Sequence, residues 1–425
     1  MQLSGFAKGI FIIFLYHHTQ SYSLSSTRHR TSKHETVLVM QGGGSLGAYE
    51  CGVCKVLAKH NIKFDIMAGT SIGAINAAIM AAGYTKDDGI ERSVEKCEDF
   101  WMDLAEDMTP VAFLPYKERS ELSATYSLFY GNQRAFTPLW MFGGIPLYYF
   151  FNSPYLYDIN QLRRTVSKHV DFIKLSSRQH RNELQSKNKG GKSNSHEGSR
   201  NNNDIITNAI PRLILTATNV QSGEPVVFDT DNEDITIDHV MASAGYAVYG
   251  LPWTKIDDSY FWDGAFVHNT PLRAVTKTKS DYEKIVYVSD VFPTKQEKLP
   301  SNMPETYHRI RDLLFTDRSI QEVKETSEDT RKYLSLIEQM HKVITSSSLH
   351  SKHDSKLKLK IDEIESQYSN LVNNRGSILD RIIHIQRKER TGRHFIFEDA
   401  DFSVDTIKEL IRQGEEDAEE ALQWE

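Results

Sequence analysis

Ser71 lies in Gly69-Thr70-Ser71-Ile72-Gly73-Ala74, a G-x-S-x-G spacing between an apolar run and an alanine-rich one. At a sharp strand-to-helix turn a serine hydroxyl is pushed clear of the backbone, and Gly69 and Gly73 let the turn close without side-chain clashes. The helix that follows presents unpaired N–H groups and a positive dipole end beside that hydroxyl, which favours negative charge there. The chemistry is nucleophilic attack on a carbonyl. A serine does this poorly unless a neighbour takes its proton. Asp263 is one acceptor, at a strand end in "FWDGAFVHNTPL" (Phe261–Leu272), where Gly264 and Ala265 turn the chain away. His268 and His239 are the others, and neither has a distinctive context. The residues alone leave a histidine-containing triad and a Ser–Asp pair both open.

A second glycine stretch, Gly42-Gly43-Gly44-Ser45-Leu46-Gly47, also follows an apolar run and precedes a helical one. It satisfies G-x-G-x-x-G literally. A dinucleotide site would also need an acidic residue at the end of the second strand. Asp65 has about the right separation but falls at that strand's start, and the other end carries Gly69-Thr70-Ser71. The Gly-Lys-Ser/Thr of a phosphate-binding P-loop is absent. The remaining chemical reading is an oxyanion hole, because consecutive glycines leave backbone N–H groups bare and able to converge on a carbonyl oxygen as it becomes negative. A glycine loop serving only close helix–strand packing is the plain structural alternative.

The elements that must position these residues alternate. "TVLVM" (Thr36–Met40) reads as a buried strand, "AYECGVCKVLAKHN" as a helix, "FDIMAG" (Phe64–Gly69) as a second strand and Ile72–Gly83 as a second helix closed by glycine. Short turns between them predict a parallel sheet. Strands are further expected over Pro211–Val220, Glu224–Thr230 and Lys284–Val291, with a short helix at "IDHVMASAG". Trp101–Pro154 is aromatic and proline-containing with weak periodicity, as in a cap over the sheet or the rim of an apolar pocket. Residues 304–389 read as mostly helical and charged, and a last helix follows a cap at Ser403 or Asp405. The fold class is α/β, a central mostly parallel sheet flanked by helices with a helical C-terminal extension. The expected divisions are an N-terminal extension over 1–34, a catalytic domain over 35–295 carrying a polar, disordered insertion at 185–204, and the extension over 296–425.

The bulk composition narrows the function classes. Of 425 residues, 39% are hydrophobic and the formal net charge is -7. That balance argues against nucleic acid as a partner and leaves a membrane or micelle surface open. Three cysteines imply no disulfide framework, and Cys51 and Cys54 fit one helix face as small apolar residues. The apolar run Gly9–Tyr16 is far shorter than the ~20 residues of a membrane span. It has the length of a signal-peptide core with a thin basic region before it. A cytoplasmic location, peripheral to a membrane, is the expectation, with export as the alternative.

"GGGSLGAY", "GTSIGA" and "WDGAFVHNTPL", in that order and with "MASAGYAVYGLPW" before the aspartate, closely resemble the patatin-like phospholipases over roughly residues 36–292. The tail with "DFSVDTIKEL" resembles the C-terminal extension of a prokaryotic subgroup. The resemblance implies a Ser–Asp dyad, with Ser71 as nucleophile and Asp263 as general base. It places the oxyanion against the N–H groups of Gly42, Gly43 and Gly44, with that of Ile72. Gly47, Gly69, Gly73, Gly264 and Ala265 complete the matched motifs. The implied reaction is hydrolysis of lipid acyl esters through an acyl-enzyme, with no metal or other cofactor. Many family members carry Lys or Arg where this chain has Leu46. The alternative is a non-catalytic protein of the same fold that binds lipid or a partner.

Overall fold

Runs of apolar and β-branched residues build the strands, and alternation along them assigns each side chain to one face. In Glu35–Met40 (β1), Leu38 and Met40 face one half of the core while Val37 and Val39 face the other. A strand covered on both faces is what a parallel sheet demands. The structure is a computed structural model. It describes residues 34–85, 89–106, 114–142, 146–176, 210–278, 280, 282–316, 319–348, 359–360, 362–364, 366–367, 377–389 and 397–423. The N-terminal extension up to residue 33 and the polar insertion at 185–204 lie outside them.

β1 runs parallel to Ile66–Thr70 (β2), and β2 runs parallel to Arg212–Asn219 (β3). Pro225–Asp229 (β4) returns antiparallel on β3. The hairpin Thr254–Ile256 (β5) and Ser259–Asp263 (β6) joins β3 through β6, also antiparallel. On the other side of β1 lies Lys284–Asp290 (β7), parallel to it. The strand order is β8-β7-β1-β2-β3-β6-β5, with β4 pairing β3 off this path. The eighth strand, Leu379–Gln386 (β8), corrects the expectation of helix through 304–389, since it pairs parallel with β7. Its Ile383 and Ile385 are buried while His384 between them stays outside, a period of two. The charges flanking those isoleucines hide that alternation in a helical context.

One face of the sheet is covered by Ala48–Lys59 (α1), Ile72–Gly83 (α2) and Glu91–Leu104 (α3). The last helix, Val404–Gln423 (α11), packs along α1 and buries Ile407, Leu410, Ile411 and Ala418 in the same cluster. The opposite face carries a smaller cluster under Leu272–Lys277 (α8), with Ile320 and Val323 of Ser319–Ser348 (α10) against it. The aromatic stretch after α3 forms Tyr116–Tyr130 (α4), Pro146–Asn152 (α5) and a two-residue ladder of Thr137–Pro138 with Tyr157–Asp158. Asn160–His169 (α6), Ile237–Ser243 (α7) and Met303–Phe315 (α9) complete the helices that bear on the site. Among the described residues no helix is long and apolar enough to cross a membrane. His34–Glu425 forms one compact unit.

Because α11 is wedged into the main cluster, truncating its Leu410 should loosen the layer of helices α1–α3. Leu410→Ala is expected to lower unfolding free energy by about 2–5 kcal/mol, read as a shift of the urea midpoint at unchanged slope.

Candidate active site

Strand register brings the two principal side chains together. Thr70 of β2 pairs with Thr216 of β3, and the next β3 residue, Ala217, pairs with Asp263 of β6. Ser71 and Asp263 are therefore level on strands two spacings apart, roughly 9–10 Å between backbones. The side chains close that gap, and Ser71 Oγ donates to Asp263 Oδ2 at 2.6 Å. Ser71 holds φ 58° and ψ −128°, a conformation that costs an L residue energy and that the surroundings must enforce. Ser243 of α7 helps, since its Oγ accepts the Ser71 N–H at 3.0 Å while donating to the Thr216 carbonyl at 2.7 Å. The bend also needs glycine at 69. A Cβ there would lie 2.1 Å from the Gly73 carbonyl oxygen.

Asp263 has no exposed surface. Burial raises its pKa to about 7, against the opposing pull of the Ser71 hydroxyl and of the Ala265 N–H, which donates to Oδ1 at 2.8 Å. This carboxylate therefore takes and releases a proton near neutrality. The His239 imidazole is engaged within its own helix cap and with Glu233. His239 Nδ1 accepts the Thr236 N–H at 3.0 Å in a helix capping box, and its Nε2 faces Glu233. His268 meets the strand bend through its backbone, where its carbonyl accepts from Thr70 Oγ1 at 3.3 Å.

The glycine loop leaves the end of β1 beside Ser71. A Cβ at Gly42 would stand 2.8 Å from Ser71 Cβ, so only glycine allows this approach. One expectation needs correction here. The Gly42 N–H donates to the Asn269 carbonyl at 3.2 Å, and Asn269 Nδ2 donates back to the Gly42 carbonyl at 3.1 Å. Gly42 is thus a stitched hinge of the loop rather than a bare donor. Gly43, Gly44 and Ile72 line the same cavity as Ser71, at the start of a short 3-10 turn and of α2. Beyond them the cavity is walled by apolar side chains, among them Ile75, Leu104, Leu128, Phe136, Leu162 and Phe402. Ser71 is part of this largely apolar lining.

The family model for patatin-like phospholipase matches residues 38–276, more than half of the chain. The chain belongs to the patatin-like phospholipase family. A curated relative, triacylglycerol lipase SDP1L of Arabidopsis thaliana, is 39% identical over 57 residues, which are 13% of this chain and 7% of that protein. The match thus spans only a small part of that relative's length. Among solved structures, VipD from Legionella pneumophila aligns with 92% of this chain and 67% of its own at 13% identity and TM-score 0.34. The heterodimeric ExoU–SpcU complex of Pseudomonas aeruginosa aligns with 79% of this chain and 67% of its own, at 14% identity and TM-score 0.27.

In this patatin-like chain the loop is held by residues that sequence reasoning did not single out. Glu50 is fully buried below it, accepting the Gln41 N–H at 2.7 Å and Asn76 Nδ2 at 2.8 Å, and burial pushes its carboxyl well up. Asn76 also accepts from Trp101 Nε1 at 3.1 Å and from Cys97 Sγ. Leu46 is wholly buried in the main cluster, so the position where the family often has a cation faces the core in this chain. Cys51 and Cys54 are likewise buried and unbridged. Asp65 sits at the far end of β2, its carboxylate accepting the Thr36 N–H at 2.9 Å. A ribose held there would be a strand's length from the glycine loop.

The most extensive support comes from the C-terminal third. Ser45 Oγ donates to the Glu398 carbonyl, and Asp399 lines the cavity with Tyr249, whose hydroxyl donates to Asp399 Oδ2 at 2.8 Å. Arg311 of α9 is buried and bonded to Asp312, Glu398 and Asp399, while Arg387 and His308 also hold Glu398. Burial alone would raise the Glu398 pKa, but Arg387, His308 and Arg311 keep it well below the usual carboxylate range. No motif signals this cluster, since its two groups, His308–Asp312 and Arg387–Asp399, are far apart in sequence and ordinary in type. Breaking a buried network by removing its cation strands the carboxylates. Arg311→Met is expected to cost about 3–5 kcal/mol in equilibrium unfolding.

Proposed function

We propose that the protein is a serine lipid acyl hydrolase that cleaves carboxylic ester bonds of lipids through a Ser71–Asp263 dyad and an acyl-enzyme. The observation that carries this reading is the 2.6 Å hydrogen bond from Ser71 Oγ, on the wall of an apolar cavity, to the buried Asp263 carboxylate. As Ser71 Oγ bonds to the ester carbonyl carbon, its proton passes to Asp263 Oδ2. The carbonyl oxygen becomes an anion facing the N–H groups of Gly43 and Gly44, with that of Ile72 at the start of α2. The bond to the alcohol then breaks, and the alcohol leaves with the proton from Asp263. A water repeats the sequence on the acyl-enzyme, giving up its proton to Asp263, and Ser71 recovers that proton as the fatty acid departs. Each oxyanion donor of this kind is worth about 2.7–4 kcal/mol in the transition state.

Membership in the patatin-like phospholipase family supports the lipid substrate, as does the apolar lining of the cavity.

Three variants test the roles. Asp263→Asn keeps the shape but cannot accept the proton, so kcat/KM toward a lipid ester should fall by about 10²–10⁴. Ser71→Ala should remove turnover altogether, and His268→Ala should leave most of it. Wild-type kcat/KM should rise on a limb centred near pH 7 as Asp263 loses its proton. Loss of that limb in His268→Ala would overturn the dyad.

The same raised pKa sets a stability signature. Between the unfolded aspartate value near ~3.9 and about 7, the folded state binds the extra proton. The contribution is therefore present at low pH and lost as pH rises through about 7. At pH 8 the charged carboxylate is a burden that Asp263→Asn removes, so its Tm should exceed that of the wild type there and the difference should vanish near pH 4.

A further inference from the structure

α9 is inside out. Its buried residues are His308, Arg311 and Asp312, which the carboxylate network requires. Met303, Tyr307, Ile310 and Leu314, at spacings of four, three and four, form one helical face and are all exposed, Leu314 by 74%. A helix of a globular domain ordinarily does the reverse. The next residue, Phe315, lines the cavity that holds Ser71.

A second exposed apolar surface adjoins residues that line the same cavity. From Leu122 to Tyr157 the sequence has twelve aromatic residues and a single charged side chain, Arg134. Phe129 and Tyr130 at the end of α4 are more than half exposed, and Phe150 and Phe151 of α5 are exposed by 66% and 74%. This surface is tied to the cavity wall by specific contacts. Leu128, beside Phe129, lines the cavity, as does Tyr157, whose hydroxyl donates to the Leu128 carbonyl at 2.7 Å. The Tyr157 ring packs on Trp140 at 5.5 Å, and Trp140 Nε1 donates to the Phe129 carbonyl.

We infer that these two surfaces, the outward face of α9 and the aromatic patch of α4 and α5, dock the protein on a neutral phospholipid surface and set the mouth of the cavity against it. This deepens the lipid hydrolase reading and rests on it for the reason a lipid surface is needed. Two exposed apolar patches, each next to a residue lining one apolar cavity, suit a non-directional partner, because acyl chains can wet both without matching hydrogen bonds. Tyr and Trp mixed with Phe is the composition favoured at the headgroup boundary. The near absence of charge in 122–157 points to uncharged lipid rather than to electrostatic capture by anionic headgroups. Exposed apolar patches of this kind mark a surface that meets a membrane or another macromolecule.

The test uses the full chain and phosphatidylcholine vesicles. Phe150→Glu with Phe151→Glu, and separately Ile310→Glu with Leu314→Glu, change only exposed side chains on two different elements. Each pair is expected to weaken vesicle flotation by about tenfold or more and to reduce hydrolysis of ester lipid in vesicles by a similar factor. Hydrolysis of a water-soluble short-chain ester should stay within about twofold of wild type. Vesicle binding should persist in 0.5 M salt, at roughly a 4 Å screening length. Flotation of Ser71→Ala at wild-type level separates docking from catalysis. A wild type that floats with vesicles yet cleaves no ester would support docking while ending the hydrolase reading. Unchanged flotation in both pairs would overturn the proposal. So would a dimeric wild type that the pairs render monomeric with vesicle binding intact, since the occupant would then be a second copy.

Discussion

A carboxylate with no contact to solvent must be kept within reach of a hydroxyl, and the rest of the molecule is arranged around that demand. Asp263 reaches Ser71 only because β3 is central to a sheet that changes direction at it, parallel on the β2 side and antiparallel on the β6 side. The parallel side presents the C-terminal end of β2, where the chain bends into α2. The antiparallel side brings β6 to the same edge, ending on Asp263. Burial then removes the water that would otherwise hold the carboxylate ionised, which is why its proton affinity rises to neutrality. A group poised there serves the proposed reaction better than an ordinary surface aspartate, which would be too weak a base.

The glycine loop has a corresponding requirement, which is a fixed position. It is held from below by Glu50 and Asn76, from one side by Asn269, and from another by the Glu398–Asp399 turn. The C-terminal third therefore contributes to the site even though it brings none of the three motifs. Its charged cluster is expensive to bury and is tolerated because each carboxylate meets a cation or a hydroxyl. The outward apolar face of α9 follows from the same cluster. Once His308, Arg311 and Asp312 are turned inward, the face with Met303, Tyr307, Ile310 and Leu314 is left pointing out.

Much of this was legible in the sequence for a physical reason. Strand–turn–helix context fixes where a G-x-S-x-G serine points, so Ser71 and the loop at Gly42–Gly44 could be placed beside each other before any coordinates. The first parallel strands were readable from unbroken apolar runs, as in "TVLVM". Asp263 could be named but not chosen over His239 and His268, because the choice depends on β3–β6 register, which is a long-range property. The commitment of the Gly42 N–H to Asn269 was invisible for the same reason, since the partners are 227 residues apart. β8 was misread because its period-two isoleucines lie among charges that mimic a helix surface. The Arg311 cluster carries no local signal, since each member is a common surface residue until the fold buries it.

The central claim is that Ser71 is the activated nucleophile of a two-residue device. Its most direct test is to treat the native protein with a fluorophosphonate and locate the adduct by peptide mass spectrometry. The account predicts a single stoichiometric adduct on the peptide holding Ser71, formed quickly above pH 7 and slowly when Asp263 is replaced by asparagine. An unlabelled Ser71 in a folded protein, or labelling at a different serine that tracks with ester turnover, would contradict it.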